Sequence, residues 1–414
     1  MRLSSAVFRW VPYGALLVGS SPAVAQEKLR VPLPLDAAVR IQTVNGRSAF
    51  DLSPDGIWLA HSWMTEDSVQ EGRLFTNSGV SYGEGHHRKQ AALTNTKTGR
   101  AIKLGNPGNF SWAPVWSPDG NRVAYFSDEG GEAGIWVWEK SSGKARRFPN
   151  AIARSFLGFE IVRWSSDSRR ILCKSLPEGM SVSQANSLLP QPEDAERFPK
   201  AGNVEPRVIV FQSGQKKPES PNLKASTPEV SRPPGPAFGD LAILDISTQR
   251  ITRVARRIEP VWWSFSPDEK YIAYVTNSGP EPNSEQSLYE IAVYEVATGQ
   301  TRKLAQGVHL TFGIELNWSP GSRALAYVAA AAGSKGAIAM LPVTGGASKP
   351  VCGNIPVLGG SALERPPLWD TAGQNLFVLA GDGRLWQCEV ASGREHLVAD
   401  IPGHRINHYT DEAL

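Results

Sequence analysis

At 414 residues with a formal net charge of +3, the chain can bury a large core, and its scattered Lys and Arg exclude a nucleic-acid stripe or a polybasic membrane patch. Thirteen Trp and 14 Phe supply bulky filling between neighbouring sheets. Three cysteines are too few for a disulfide framework, and seven His without an HExxH pattern give no metal site, so neither a metal nor a cofactor is expected.

The N-terminus, "MRLSSAVFRWVPYGALLVGSSPAVAQ", has Arg2 and Arg9, a short apolar run around Val11 to Val18, and Ala23-Val24-Ala25 as a small-residue cleavage signature. Residues 1–25 read as a secretory signal cleaved after Ala25, with an apolar run too short to span a bilayer. No Cys lies near for a lipid anchor, so the mature protein is expected in the periplasm or secreted, without stable membrane insertion. Residues 26–48 are read as an extension whose strand helps close a ring by pairing with the last blade.

From there one pattern recurs. "LSPDGIWLAHSW" begins at Leu52, "WSPDGNRVAYFSD" at Trp116, "WSSDSRRILCKS" at Trp164, "FSPDEKYIAYVTN" at Phe265, "WSPGSRALAYVA" at Trp318 and "WDTAGQNLFVLA" at Trp369. Pro presets φ, Asp bonds backbone amides two residues on, and Gly accepts positive φ, so the polar tetrad is a turn. The β-branched and aromatic residues after it suit a pleated surface. Second halves such as "IWVWEKSSGKARRF" and "IAVYEVATGQTRKL" read as strand, tight turn, strand. Each unit is therefore four short antiparallel strands at a spacing of roughly 50 residues, which predicts an all-β propeller over residues 49–400, with six blades and seven as the alternative.

Two intervals are longer, Met64 to Arg88 and an insertion at about 177–238. The second is rich in Pro, Ser, Lys and Glu, a composition that predicts mobility, with "RVIVF" at Arg207 to Phe211 as an added strand or the remnant of a seventh blade. Residues 401–414 form a tail.

The repeated aspartates, Asp55, Asp119, Asp167 and Asp268, occupy equivalent and separated turns, so they are turn formers and not one acidic site. "AGSKG" at Ala332 to Gly336 has Ala where a nucleophile elbow has Gly, and "GGSAL" at Gly359 has Leu363 where the second Gly belongs. His86 and His87 point opposite ways in extended chain and read as loop residues. No catalytic residue is assigned. Cys173 reads as a small core residue, and Cys352 and Cys388, in consecutive blades, could meet if the loops permit.

Turns after the first and third strands of each blade share one face, and these are the short ones. The long segments all fall to the other face, together with inter-blade links that carry aromatics and charges. Loops on rigid scaffolds carry function more often than the scaffold does. Candidate binding residues at this face and the channel mouth are therefore Trp112, Phe159, Glu160, Arg163, Trp262, His309, Phe312, Glu315 and Arg365. The aromatics serve equally as wedges between blades, and the charges can pair with one another.

"SWAPVWSPDGNRVAYFSDEGGEAGIWVWEKSSGKARRF" and "WSSDSRRILCKSLPEGMSVSQAN" resemble the N-terminal propeller of secreted bacterial peptidases of the prolyl oligopeptidase family, with a repeat unit similar to that of TolB. The resemblance spans roughly Phe50 to Val398. It implies a propeller that gates or positions peptides for a following α/β-hydrolase domain bearing Ser, Asp and His. The chain ends at "IPGHRINHYTDEAL", so those residues have no counterpart in it. The paired glutamates of the dipeptidyl-peptidase subgroup have none either, since Glu66-Asp67 and Glu193-Asp194 are loose acidic pairs. The expectation is a non-catalytic binding propeller for a peptide or protein. The alternatives are the leading part of a split peptidase that works with a separate hydrolase subunit, and a TolB-like envelope component.

Overall fold

The computed structural model describes residues 43–44, 50–66, 74–81, 87–156, 160–189, 235, 237–281, 287–310, 316–329, 336–357 and 366–402. All lie in the unit from Gln42 to Leu414. Blade 1 holds β1 (Thr43–Val44), β2 (Asp51–Leu52), β3 (Trp58–Glu66), β4 (His87–Asn95) and β5 (Ala101–Lys103). Blade 2 holds β6 (Ser111–Trp116), β7 (Arg122–Ser127), β8 (Gly134–Glu139) and β9 (Lys144–Ile152). Blade 3 has β10 (Arg163–Trp164), β11 (Arg170–Ser175), the helix α1 (Val182–Ser187), β12 (Gly239–Asp245) and β13 (Ile251–Ile258). Blade 4 has β14 (Pro260–Phe265), β15 (Tyr271–Pro280), β16 (Ser287–Glu295) and β17 (Thr301–Val308). Blade 5 has β18 (Asn317–Trp318), β19 (Ala324–Ala329), β20 (Ala337–Pro342) and β21 (Lys349–Pro350). Blade 6 closes the series with β22 (Leu368–Trp369), β23 (Asn375–Leu379), β24 (Leu385–Glu389) and β25 (Glu395–Ala399).

In blades 2 to 6 the strands pair antiparallel in chain order, and in blade 1 β1 and β2 both pair with β3, which makes this an all-β propeller of six blades. The segment "RVIVF" and the N-terminal 42 residues lie outside the described residues. The N-terminal extension contributes β1, which pairs with β3 of blade 1, Thr43 opposite Met64. Because β2 covers only Leu59 and Ala60, the inner edge of β3 is left available further along.

Middle strands are buried on both faces, so β7, β11, β12 and β19 read as nearly continuous apolar runs. Alternation then divides each strand between two blade interfaces: Ile171 and Cys173 pack toward blade 2, and Leu172 toward blade 4. Apolar clusters of this kind fill the interfaces between blades 1 and 2, 2 and 3, 3 and 4, 4 and 5, and 5 and 6. Fourth strands such as β9, β13 and β17 are only partly buried and carry Arg and Lys, which guards their unpaired edges. A disulfide between Cys352 and Cys388, Cα atoms 6.0 Å apart, joins blade 5 to blade 6. Cys173 is fully buried, and burial pushes its thiol up to about 12.

The repeated turns behave as the Asp spacing predicts. In blade 2 the Ser117 hydroxyl donates to Asp119 Oδ1 at 2.5 Å, and the Asn121 N–H donates to the same oxygen at 3.0 Å. Blades 1, 3 and 4 repeat this with Asp55, Asp167 and Asp268. The Ser53 hydroxyl, then Lys140, hold the Asp55 carboxyl down at about 2. For Asp119, Asp167 and Asp268 partial burial pushes upward, but the serine and backbone donors outweigh it and the carboxyls lie below their ordinary range. The left-handed position of the turn is Gly56, Gly120 or Gly373 in blades 1, 2 and 6, and at Gly120 a Cβ would crowd the Pro54 ring at 3.3 Å. Elsewhere it is Ser168 (φ 59°), Glu269 (φ 56°) or Ser322 (φ 56°), each of which bonds the preceding blade. Ser168 Oγ accepts from the Asp119 N–H and Ser322 Oγ from the Asp268 N–H, both at 3.0 Å. Glu269 takes the Ser166 N–H and pairs with Arg170.

Candidate functional site

On the opposite face, segments from three blades lock together. Residues 74–81, between β3 and β4, form a turn closed by the Thr76 N–H to the Val80 carbonyl at 2.8 Å. Ser78 reaches blade 2, its carbonyl accepting from the Ala133 N–H at 2.7 Å and its hydroxyl donating to Asp128 Oδ2 at 3.0 Å. Ser81 Oγ donates to the Phe156 carbonyl at 2.8 Å, in the link from blade 2 to blade 3. Asn186 of α1 donates to the Thr76 carbonyl at 3.1 Å. Gly79 lies so close to α1 that a Cβ there would stand 3.2 Å from both methyls of Val182. The insertions of blades 1 and 3 therefore emerge on the same side and touch, as the topology requires. The blade 1 insertion is also slightly shorter than the sequence suggests, because β3 runs to Glu66 and β4 starts at His87.

The start of the blade 3 insertion is packed. Leu176, Val182 and Ala185 are buried together against Ile152 and Met180. Ser181 and Gln184 form a reciprocal capping box on α1. The Pro- and Ser-rich composition hid this helix, although Ser181-x-x-Gln184 is a legible start signal.

Beneath the interlocked segments sits a set of buried charges. Lys174 Nζ pairs with Glu160 Oε2, both side chains being essentially inaccessible at 1% and 0%. The Phe156 N–H donates to the same carboxylate at 2.7 Å. Arg154, 2% exposed, lays its guanidinium 3.6 Å from the centre of the Phe75 ring and donates to Asn186 Oδ1 at 2.9 Å. Arg253 donates from Nη1 to Ser175 Oγ at 2.5 Å, with Nε 3.7 Å from the buried Asp240. Burial pulls the Lys174 ammonium below the ordinary lysine range, against the opposing pull of Glu160, and lowers Arg154 to about 10. Breaking such a pair is expensive because it strands one ion, whereas keeping it adds little net stability. It fixes geometry instead.

The candidate residues separate accordingly. Glu160 pairs with Lys174 and does not line the axial cavity. Trp112 is 6% exposed and packs on Phe126, ring centres 5.4 Å apart, as a wedge in the interface of blades 2 and 3. Trp262 is a wedge too, and it also borders an axial cavity of about 790 Å³ together with Arg163. Residues from the inner edge of all six blades line that cavity, among them Leu52, Trp116, Trp164, Asn317 and Leu368, and it reaches the polar turns at Pro118 and Pro267. His309, half-buried, stands 3.5 Å from Glu281. Phe159, Phe312, Glu315 and Arg365 lie outside the described residues. Arg154 and Lys174 were missed by the sequence reading, since a Lys inside "RILCKS" looks like an outward strand position. Among the described residues no group of three His, Cys, Asp or Glu could hold a metal, and no helix is long and apolar enough to cross a membrane.

No family model matches the chain. Among curated proteins it is similar to the uncharacterized peptidase YuxL of Bacillus subtilis, 29% identical over 113 residues, which is 26% of this chain and 16% of that one. Solved structures similar to it include the propeller domain of the Trilobed protease from Pyrococcus furiosus (11% identity, 87% of this chain and 83% of that one, TM-score 0.44). TolB from Acinetobacter baumannii is another (15%, 74% and 58%, TM-score 0.34). The acylaminoacyl peptidase of Pyrococcus horikoshii is a third (12%, 87% and 46%, TM-score 0.46). The chain thus spans well under two thirds of YuxL, TolB and the acylaminoacyl peptidase, and at such identities the likeness does not extend to activity.

Proposed function

We propose that this chain is a binding propeller, periplasmic or secreted, that presents its loop-rich face to a peptide or protein and holds it without a chemical step. The interlock of segments from blades 1, 2 and 3 carries this reading. Neither 74–81 nor 176–189 is needed to complete a blade's four strands, yet both are ordered by hydrogen bonds and buried charge. Ordering a residue costs on the order of 1–2 kcal/mol, and a surface ordered beforehand spares that cost when a partner docks. Leu74 and Leu188, at 38% and 39% exposed, are apolar side chains on two of these segments. The Cys352–Cys388 disulfide suits an oxidising compartment, in line with a cleaved signal. Replacing 67–86 and 177–238 by tight turns should abolish recovery of a partner from periplasmic extract, and equal recovery would refute the reading. Mass measurement of the secreted protein should give Gln26 as its first residue.

A second reading, the propeller of a serine peptidase that works with an α/β-hydrolase part, is favoured by the likeness to YuxL. Peptidase activity that appears only when the chain is purified with a hydrolase encoded beside it would select this reading.

A further inference from the structure

A second cavity, of about 360 Å³, lies between blades 2 and 3 at the rim of the loop-rich face. The end of β9, residues 176–180 and β13 bound it. Ile152, Leu176, Met180 and Ile251 give it an apolar side, while Asn150, Glu178, Arg253 and Arg256 make the larger part of its lining polar. Arg253 is only 8% exposed at the side chain, and beyond Ser175 its N–H groups have no hydrogen-bond partner among the described residues. Its neighbour Asp240 takes the Arg257 N–H on Oδ1 at 2.8 Å and faces Arg253 Nε with Oδ2 at 3.7 Å, an ion pair too long for a hydrogen bond. Arg256 pairs with Glu178 at 3.3 Å, but both are well exposed, at 61% and 72%, so that pair is weak and easily exchanged for another carboxylate.

A largely buried guanidinium facing a recess with one apolar side is suited to one planar anion that it can grip with two parallel N–H bonds. The recess is the size of the smaller ligand pockets, with room for the end of a peptide and not for a folded partner. We infer that this cavity takes the C-terminal carboxylate of a peptide whose last side chain is apolar, with Arg253 on the carboxylate and Arg256 steering it in. The inference rests on the peptide-binding reading above and specifies which end of the peptide is recognised.

Calorimetric titration of the whole chain with acetyl-Gly-Ala-Ala-Leu as the free acid, with its C-terminal amide, and with acetyl-Ala-Glu-Ala amide tests it. The free acid should bind, and the amide at least about tenfold more weakly, the usual difference for a charge-assisted hydrogen bond. Arg256→Gln should weaken the free acid several-fold. Met180→Trp, which fills the recess, should abolish binding, with the thermal midpoint reporting that the fold persists. Equal binding of acid and amide, no binding of the acid at millimolar concentration, or full binding by Arg256→Gln overturns the inference. Binding of the Glu peptide alone overturns the assignment to a chain end. Partner recovery that depends on the long segments but tolerates Met180→Trp leaves the loop-face reading standing and removes this one.

Discussion

The two faces of the propeller are built on opposite principles. On the turn face the same arrangement is used over and over, a serine hydroxyl and a backbone N–H on one aspartate oxygen, with a left-handed residue bonding the blade before it. Among the described residues of the loop face nothing repeats: a turn from blade 1, a link from blade 2 and a helix from blade 3 meet once, over a buried ion pair. Repetition marks what every blade needs for its own stability. Departure from it marks where a selective contact can be placed, since a site needs residues that differ around the axis.

The largest effect should come from the loop face. Lys174→Met leaves the Glu160 carboxylate buried without its ammonium and should cost about 3–5 kcal/mol in urea unfolding. Lys174→Met with Glu160→Leu removes both ions and should recover most of that loss. If the single variant proves mild, the buried pair is not the element that fixes the interlock, and the contrast between the faces weakens.

This also explains what could be read in the sequence. The blade count, the turn aspartates and the sorting of long segments to one side follow from local spacing, because each repeat carries its own turn and its own alternation. Glu160 was legible as a charge entering an inner strand, but its partner was not, since Lys174 lies across a strand register that one chain segment does not encode. The Cys352–Cys388 bridge depends on the separation of two blades in the same way. Trp112 and Trp262 could be read as ligand contacts or wedges, and both pack between blades, Trp262 also bordering the axial cavity.

Effects on the turn face should be smaller, equal and additive. Asp119→Ala should cost about 1 kcal/mol, the ordinary worth of such hydrogen bonds, and the same change at Asp268, two blades away, should add independently. The pH dependence has a definite sign. These carboxyls lie lower in the folded chain than the value near 3.9 of an unfolded aspartate, so their contribution is complete above about pH 5 and is lost as pH falls below 3.9, down to about 2 for Asp55. The thermal midpoint should drop across that window, and a variant with Asn at positions 55, 119, 167 and 268 should drop less. An equal drop would place the acid sensitivity elsewhere.

The smallest effect is the most discriminating, because two opposed terms meet at one residue. Ser168 sits at φ 59°, where a non-glycine residue is strained by roughly 1 kcal/mol or more. Its hydroxyl accepts the Asp119 N–H of the preceding blade, worth about 1 kcal/mol. Ser168→Gly relieves the strain and loses the bond, so the urea midpoint should move by less than about 0.5 kcal/mol. Ser168→Ala keeps the strain and still loses the bond, and should be about 1 kcal/mol worse than wild type. A Gly variant clearly more stable than wild type would mean that the inter-blade bond contributes nothing, and that serine is held at this position for a reason other than joining blades 2 and 3.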